Sequence, residues 1–175
     1  LYTLNFNETI YSEQIFSDDF NQETENWTVV QGSWIAENGE YFGNYTGFGV
    51  SVAGDVSWTD IIVEGDVMGK VDVRETGIVF RYRDSLNYYR VFIAGDFDQL
   101  RVMKMVDGSP TYPEDWVSWI NTKPNVWYTL KVIITGNIFK VYLDDEYTFS
   151  VFDQNAIPAG KIGVGGYDEE SCFDN

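Results

Sequence analysis

The stretch from Gly77 to Ile93 (Gly-Ile-Val-Phe-Arg-Tyr-Arg-Asp-Ser-Leu-Asn-Tyr-Tyr-Arg-Val-Phe-Ile) constrains the fold more than any other part of the chain. Two runs of alternating apolar and polar residues flank the polar corner Asp84-Ser85-Leu86-Asn87. Alternation at period two marks strands that each bury one face. The predicted hairpin puts Tyr82, Tyr88 and the arginines Arg83 and Arg90 on or near one surface, with Asp84 at the corner.

The same grammar runs along the rest of the chain. Strand-like segments are expected over 28–35, around Gly32, over 40–52 in short pieces, over 57–68 and over 73–83. More follow over 87–94, 99–106, 127–135, 138–143, 147–151 and 161–165. Asp107-Gly108, Gly136-Asn137 and Asp144-Asp145-Glu146 read as turns. Residues 109–123 read as a longer loop whose Trp116 and Trp119 either mark a binding surface or plug one end of the fold. Leu4 and Phe6 alternate with Asn5 and Asn7, so residues 1–14 read as a separate extended strand or tail ahead of a domain over 15–175. About a dozen short strands with frequent turns predict an all-β fold, a two-sheet antiparallel β-sandwich. Aromatic residues, 17% of the chain, suit pleated faces, and 175 residues suffice for one real core.

The formal charge of −17 is unevenly spread. Residues 1–69 carry twelve acids and no Lys or Arg, residues 70–140 carry ten bases and eight acids, and residues 141–175 carry eight acids with Lys161. Phosphate backbones and anionic membranes need a basic surface, so no nucleic-acid partner is expected. No run of 18 apolar residues is present, so no membrane insertion is expected. The acidic ends read as solubilising, as cation-binding, or as an adaptation to salt or heat. With no histidine, His-based triads and His metal sites are excluded. Cys172 alone gives no internal disulfide; it reads as a buried apolar residue or an intermolecular bridge. The chain opens on Leu1 rather than Met, which suggests processing or an engineered boundary. Sequons at Asn7, Asn26 and Asn44 add the expectation of an exported glycoprotein, extracellular or at the cell surface.

Five segments in order carry a family resemblance: Asp18-Asp19-Phe20 with Asn26-Trp27; Gly32-Ser33-Trp34; Ser57-Trp58-Thr59-Asp60 leading to Val63-Glu64-Gly65-Asp66-Val67; Gly77 to Arg90; and Asn125-Val126-Trp127-Tyr128 through Tyr142-Leu143-Asp144 and Gly160-Lys161-Ile162-Gly163-Val164 to Phe173-Asp174-Asn175. Over residues 15–175 the chain resembles a concanavalin A-like jelly roll of the laminin-G, lectin and glucanase type. The branch with levan-binding modules and keto-disaccharide hydrolase-like domains is the nearest. The resemblance implies a glycan or polysaccharide partner, met by Tyr82, Arg83, Asp84, Tyr88, Arg90, Trp116 and Trp119. It also implies a structural Ca²⁺ held by Asp18, Asp19 and Asp174, with Glu40 and Asp168 as helpers; the alternative, that Asp18 and Asp174 serve as turn or capping residues, stays open.

Related glucanases carry a Glu-x-Asp-x-x-Glu strand; here Glu64 and Asp66 fill two places and Gly69 the third. Positions i and i+2 on a strand point the same way, roughly 6.5–7 Å apart, a separation open to glycosidase carboxylates. The missing third acid sets the expectation at a non-catalytic binding module. The alternative is a structural surface subunit, an adhesin, surface-layer or filament protein. In the family, Phe-Asp-Asn leads into a final strand that is missing here, while residues 1–14 are spare, an arrangement that invites strand donation between copies. A longer parent chain would supply that strand in cis.

Overall fold

Turn chemistry divides the chain into short strands, and the computed structural model describes them for residues 14–21, 24–70, 74–168 and 170–174. In chain order they are β1 (Trp27–Gln31), β2 (Ser33–Glu37), β3 (Glu40–Asn44), β4 (Phe48–Ala53), β5 (Ile62–Gly69), β6 (Glu75–Asp84), β7 (Asn87–Ala94), β8 (Gln99–Val106), β9 (Ser109–Thr111), β10 (Val117–Trp119), β11 (Tyr128–Thr135), β12 (Ile138–Leu143), β13 (Glu146–Phe152), β14 (Lys161–Tyr167) and β15 (Glu170–Asp174). Two antiparallel sheets form a sandwich. The first runs β1-β4-β14-β6-β7-β8-β10, with β9 also on β8; the second runs β13-β12-β11-β5-β15-β3-β2. The expected all-β jelly roll is therefore the fold. The extended lead-in expected over residues 1–14 lies, up to residue 13, outside the described residues.

The central hairpin forms as the alternation requires, with Asp84 opposite Asn87 across a two-residue turn. The Asp84 carboxylate accepts from the Leu86 N–H at 2.8 Å and the Asn87 amide at 3.0 Å, which fixes the corner. Asp107-Gly108 and Asp144-Asp145 make the expected turns with positive φ at both residues, the conformation that matches strand twist in tight hairpins.

Two expectations are corrected. The alternation over 28–35 is not one strand, because Gly32, at φ +96, sends the chain from β1 in one sheet to β2 in the other. Residues 109–123 are not all loop either; three-residue strands β9 and β10 pair with β8, whose edge offers free backbone groups.

The core lies between the sheets. Ile78, Phe80, Tyr89, Val91, Ile93, Leu100 and Val102 face Val63, Val67, Leu130, Val132, Phe139 and Val141 across it. Buried hydroxyls join the layers: Tyr41 on β3 meets Ser51 on β4 at 2.8 Å. At one end the Tyr89 hydroxyl donates to Asp153 at 2.7 Å, and the Lys104 ammonium lies 2.7 Å from the same carboxylate. Burial and the Asp153 charge push the Tyr89 phenol well above the usual tyrosine range. Burial alone would raise the Asp153 carboxyl, but hydrogen bonds from Lys104 and Tyr89 outweigh it and hold the group below the ordinary carboxylate value.

Candidate functional site

The solvent side of the first sheet is where the sequence-predicted residues converge. Alternation puts Val79, Tyr88, Arg90, Phe92 and Ala94 on the face turned away from the core, and the bulge at Arg81 brings Tyr82 to the same face. There Val50, Val52, Val79, Tyr82, Tyr88, Phe92, Ala94, Met103 and Met105 form a second apolar cluster. Tyr82 and Tyr88 sit 5.7 Å apart, ring to ring, and both are buried. Burial pushes both phenols up from the usual range.

Arg90 is the feature that stands apart. Its side chain is 0% exposed on the outward face of a sheet. The guanidinium lies 4.5 Å from the centre of the Phe92 ring and 5.0 Å from that of Phe48. Phe48 is on β4, three strands away from β7 in the sheet order. The two meet because the strands between them present glycine: Gly77 on β6 stands opposite Phe92 on one side and Gly165 on β14 on the other. A Cβ at Gly77 would come within 2.0 Å of the Val91 carbonyl, and one at Gly165 within 2.4 Å of the Gly49 carbonyl.

Arg90 Nη2 donates to Glu75, a carboxylate 21% exposed, while Nε and Nη1 are buried with no hydrogen-bond partner among the described residues. Glu75 therefore brings a fixed negative acceptor to the surface, set from below by a cation. Around this pair stand Phe48 and Tyr167, whose rings lie 4.9 Å apart, and Tyr112, held under the Arg101 guanidinium at 5.4 Å. Carboxylate acceptor, phenol and ring faces together suit a polyol with apolar ring edges.

The other predicted residues fall elsewhere. Arg83 is exposed beyond the bulge at the end of β6, and Asp84 is occupied by its turn. Trp116 is 7% exposed and belongs to the inter-sheet core beside Tyr89, so it plugs rather than binds. Trp119 is 74% exposed on edge strand β10. Arg81, next to the predicted set, is turned inward by its φ of +47 and donates to the carbonyls of Ile157 at 2.8 Å and Gly136 at 2.7 Å. Sequence reading missed Glu75, Phe48, Tyr112 and Tyr167. The available signal was parity: Glu75, Gly77 and Val79 share the outward face with Arg90.

The acids expected to bind calcium are engaged in local structure. Asp18 accepts from the Phe20 N–H at 2.9 Å and the Trp27 indole N–H at 3.0 Å, and Asp19 accepts from the Asn21 N–H at 3.2 Å. Asp174 stands opposite Asp66 in the β15–β5 ladder. Among the described residues no group of three carboxylate or sulfur side chains is placed to hold a cation. Glu64 is paired with Lys131 at 2.6 Å and Asp66 accepts from the Thr129 hydroxyl at 2.5 Å. Of the sequons, Asn26 and Asn44 are exposed, and Asn7 lies outside the described residues.

Two facing antiparallel sheets in this strand order make a jelly-roll β-sandwich, a fold shared with carbohydrate-binding and glucanase structures. The chain is similar to the carbohydrate binding module CBM66 from Bacillus subtilis, with a TM-score of 0.79 and 24% identity over 86% of this chain and 92% of that one. It is 26% identical over 152 residues to the levanase of Bacillus subtilis (strain 168), covering 85% of this chain and 22% of the levanase. The chain thus spans about a fifth of that enzyme's length. The Bacillus licheniformis β-glucanase shares the fold at a TM-score of 0.66 and 12% identity, over 89% of this chain and 93% of the glucanase. No protein-family profile matches the chain.

Proposed function

We propose that the protein is a non-catalytic, extracellular carbohydrate-binding module that holds a glycan on the outward face of its first sheet. One observation carries this reading: a fully buried arginine on a solvent-side face, two of its nitrogens without acceptors among the described residues, bound to a half-buried carboxylate among aromatic rings. Burying a guanidinium is costly, and packing alone would be served as well by an apolar residue. The expense is explained if Arg90 sets the charge and position of Glu75 for a ligand. Glu75 then accepts from adjacent hydroxyls, and Tyr112, Tyr167 or Phe48 supplies ring contact. Arg83 and Trp119 are exposed and extend the contact for a longer chain; Tyr82 and Tyr88 support the floor.

Similarity to a carbohydrate binding module over most of both chains supports the class, and the levanase similarity makes levan the first polymer to test. The non-catalytic part of the reading draws on β5. Glu64 is neutralised by Lys131, Asp66 is engaged by Thr129, and glycine stands where glucanases have a third acid. Among the described residues no helix is long and apolar enough to cross a membrane; export and glycosylation at Asn7, Asn26 and Asn44 rest on the sequons. Calcium at Asp18, Asp19 and Asp174 gains no support from the geometry, and metal analysis of purified protein with a chelator melt checks it. The binding test is calorimetric titration with levan and a glycan array, using wild type and Tyr112→Ala. Binding that Tyr112→Ala weakens about tenfold or more supports the site.

A further inference from the structure

The aromatic and polar groups on the outward face of the first sheet are not scattered. Strand register sets several of them in one row. Trp119 on β10 stands opposite Gln99 on β8, and Gln99 opposite Ala94 on β7. Ala94 lies one step beyond the Thr76–Ile93 pair, abreast of Glu75 on β6. Glu75 stands opposite Tyr167 on β14, and Tyr167 opposite Phe48 on β4. Opposed residues in a ladder share a face, so the whole row lies on the outward side and runs across the strands. Trp119 and Glu75 are three strand steps apart in the sheet order, which is about 14–15 Å. That span is longer than one sugar ring.

Trp119 is the most exposed tryptophan of the chain, at 74%, yet its short strand is held at both ends. Trp116 is sunk in the core, and its carbonyl accepts from the Val102 N–H at 2.9 Å. Ile120 packs against the core, and its N–H donates to the Asp98 carbonyl at 2.9 Å. A strand anchored in this way presents a fixed ring to solvent, and a fixed ring loses little freedom on binding. Gln99, next in the row, is half-buried, and its Oε1 is enclosed with no hydrogen-bond partner among the described residues. Native proteins rarely leave an enclosed acceptor unmatched; a ligand hydroxyl lying on the row supplies the donor. Tyr112 borders the row at its other end, where burial and then the Glu75 charge raise its phenol above the usual range.

We propose that the site is a row of subsites for a linear oligosaccharide lying across the strands, with one ring against Glu75, Tyr112 and Tyr167, a later ring stacked on Trp119, and Gln99 bonding a hydroxyl between them. The inference rests on the sugar-binding reading and gives its ligand a direction and a minimum length. The two ends of the row recognise different things. A carboxylate selects hydroxyls by their positions, so Glu75 reads the sugar. A flat aromatic face accepts any ring that offers an apolar side, so Trp119 reads chain length. Ala94, in the middle, adds only a methyl group, so β7 sets no tall side chain in the path between them.

The test uses the full chain and two probes, a levan disaccharide and a levan tetrasaccharide, titrated calorimetrically into wild type, Trp119→Ala, Trp119→Tyr and Glu75→Gln. Wild type is expected to bind the tetrasaccharide about tenfold or more tightly than the disaccharide, the scale of one added stacking contact. That gain should vanish in Trp119→Ala and return in Trp119→Tyr, while Glu75→Gln weakens both lengths, with circular dichroism unchanged throughout. In parallel, the tetrasaccharide and not the disaccharide should shield wild-type tryptophan fluorescence from acrylamide. Equal wild-type affinity for the two lengths, or a gain that survives Trp119→Ala, overturns the row while leaving sugar binding at Glu75 standing. A wild type that binds neither probe overturns the row, and sugar binding falls with it if a glycan array also finds no ligand.

Discussion

The two faces of the first sheet's central strands meet very different neighbours. On the outward face, Arg90 spans two glycines to reach Phe48, and Val79, Tyr88, Phe92 and Met103 close around it with almost no surface left open. On the inward face, a few residues along, Ile78 looks into a cavity of about 700 Å³ beside β5. The difference is one of pairing. Every strand under Arg90 has neighbours on both sides, whereas among the described residues β5 has a partner on one side only over 62–65. Packing density thus follows from hydrogen-bond completion. The closed face is packed tightly enough to hold a charge in place, and the cavity beside β5 is not.

The largest expected effect comes from breaking the closed face at its floor. Gly77→Ala sets a Cβ against the Val91 carbonyl and Phe92 backbone, which cannot yield. It should cost about 3 kcal/mol or more by urea unfolding, at the upper end for overpacking.

A matched pair sharpens the contrast. Val79→Ala, beneath the closed cluster, should cost about 2–3 kcal/mol. Val63→Ala, on the wall of the cavity, should cost less, about 1 kcal/mol, because the residue already borders open space. Equal losses would show that the two positions are equally well packed.

Next in size is the charged end of the core. Because Asp153 has a lowered carboxyl pKa when folded, its contribution is fully present above the unfolded value, near 3.9. That contribution is lost as pH falls through the folded value. Asp153→Asn should therefore cost about 1–3 kcal/mol at pH 7 by leaving Lys104 and Tyr89 poorly matched. The variant should also show a flatter loss of stability below about pH 4 than wild type, read by thermal melts across pH.

Much of the fold was legible and the site only half so. The central hairpin could be read because alternation and the Asp84 turn agree on one answer. The switch at Gly32 could not, since alternation continues unbroken while the chain changes sheets. β10 was hidden by its length of three residues, and β9 also by Pro110. Trp116 and Trp119 look alike in sequence, yet one fills the core and the other lies on an edge. Arg90 was readable as an outward residue; its partner Glu75 was not, being fifteen positions away and close only through strand register.

The most direct test of the sugar-binding account is calorimetric titration of levan, or of a glycan that an array selects, into wild type and Glu75→Gln. The substitution keeps the shape of the half-exposed carboxylate and removes its charge. The account predicts wild-type binding that weakens about tenfold or more in the variant, as expected for a charge-assisted hydrogen bond, with the fold intact by circular dichroism. Unchanged affinity in a folded Glu75→Gln protein, or no glycan bound by wild type at all, would contradict it.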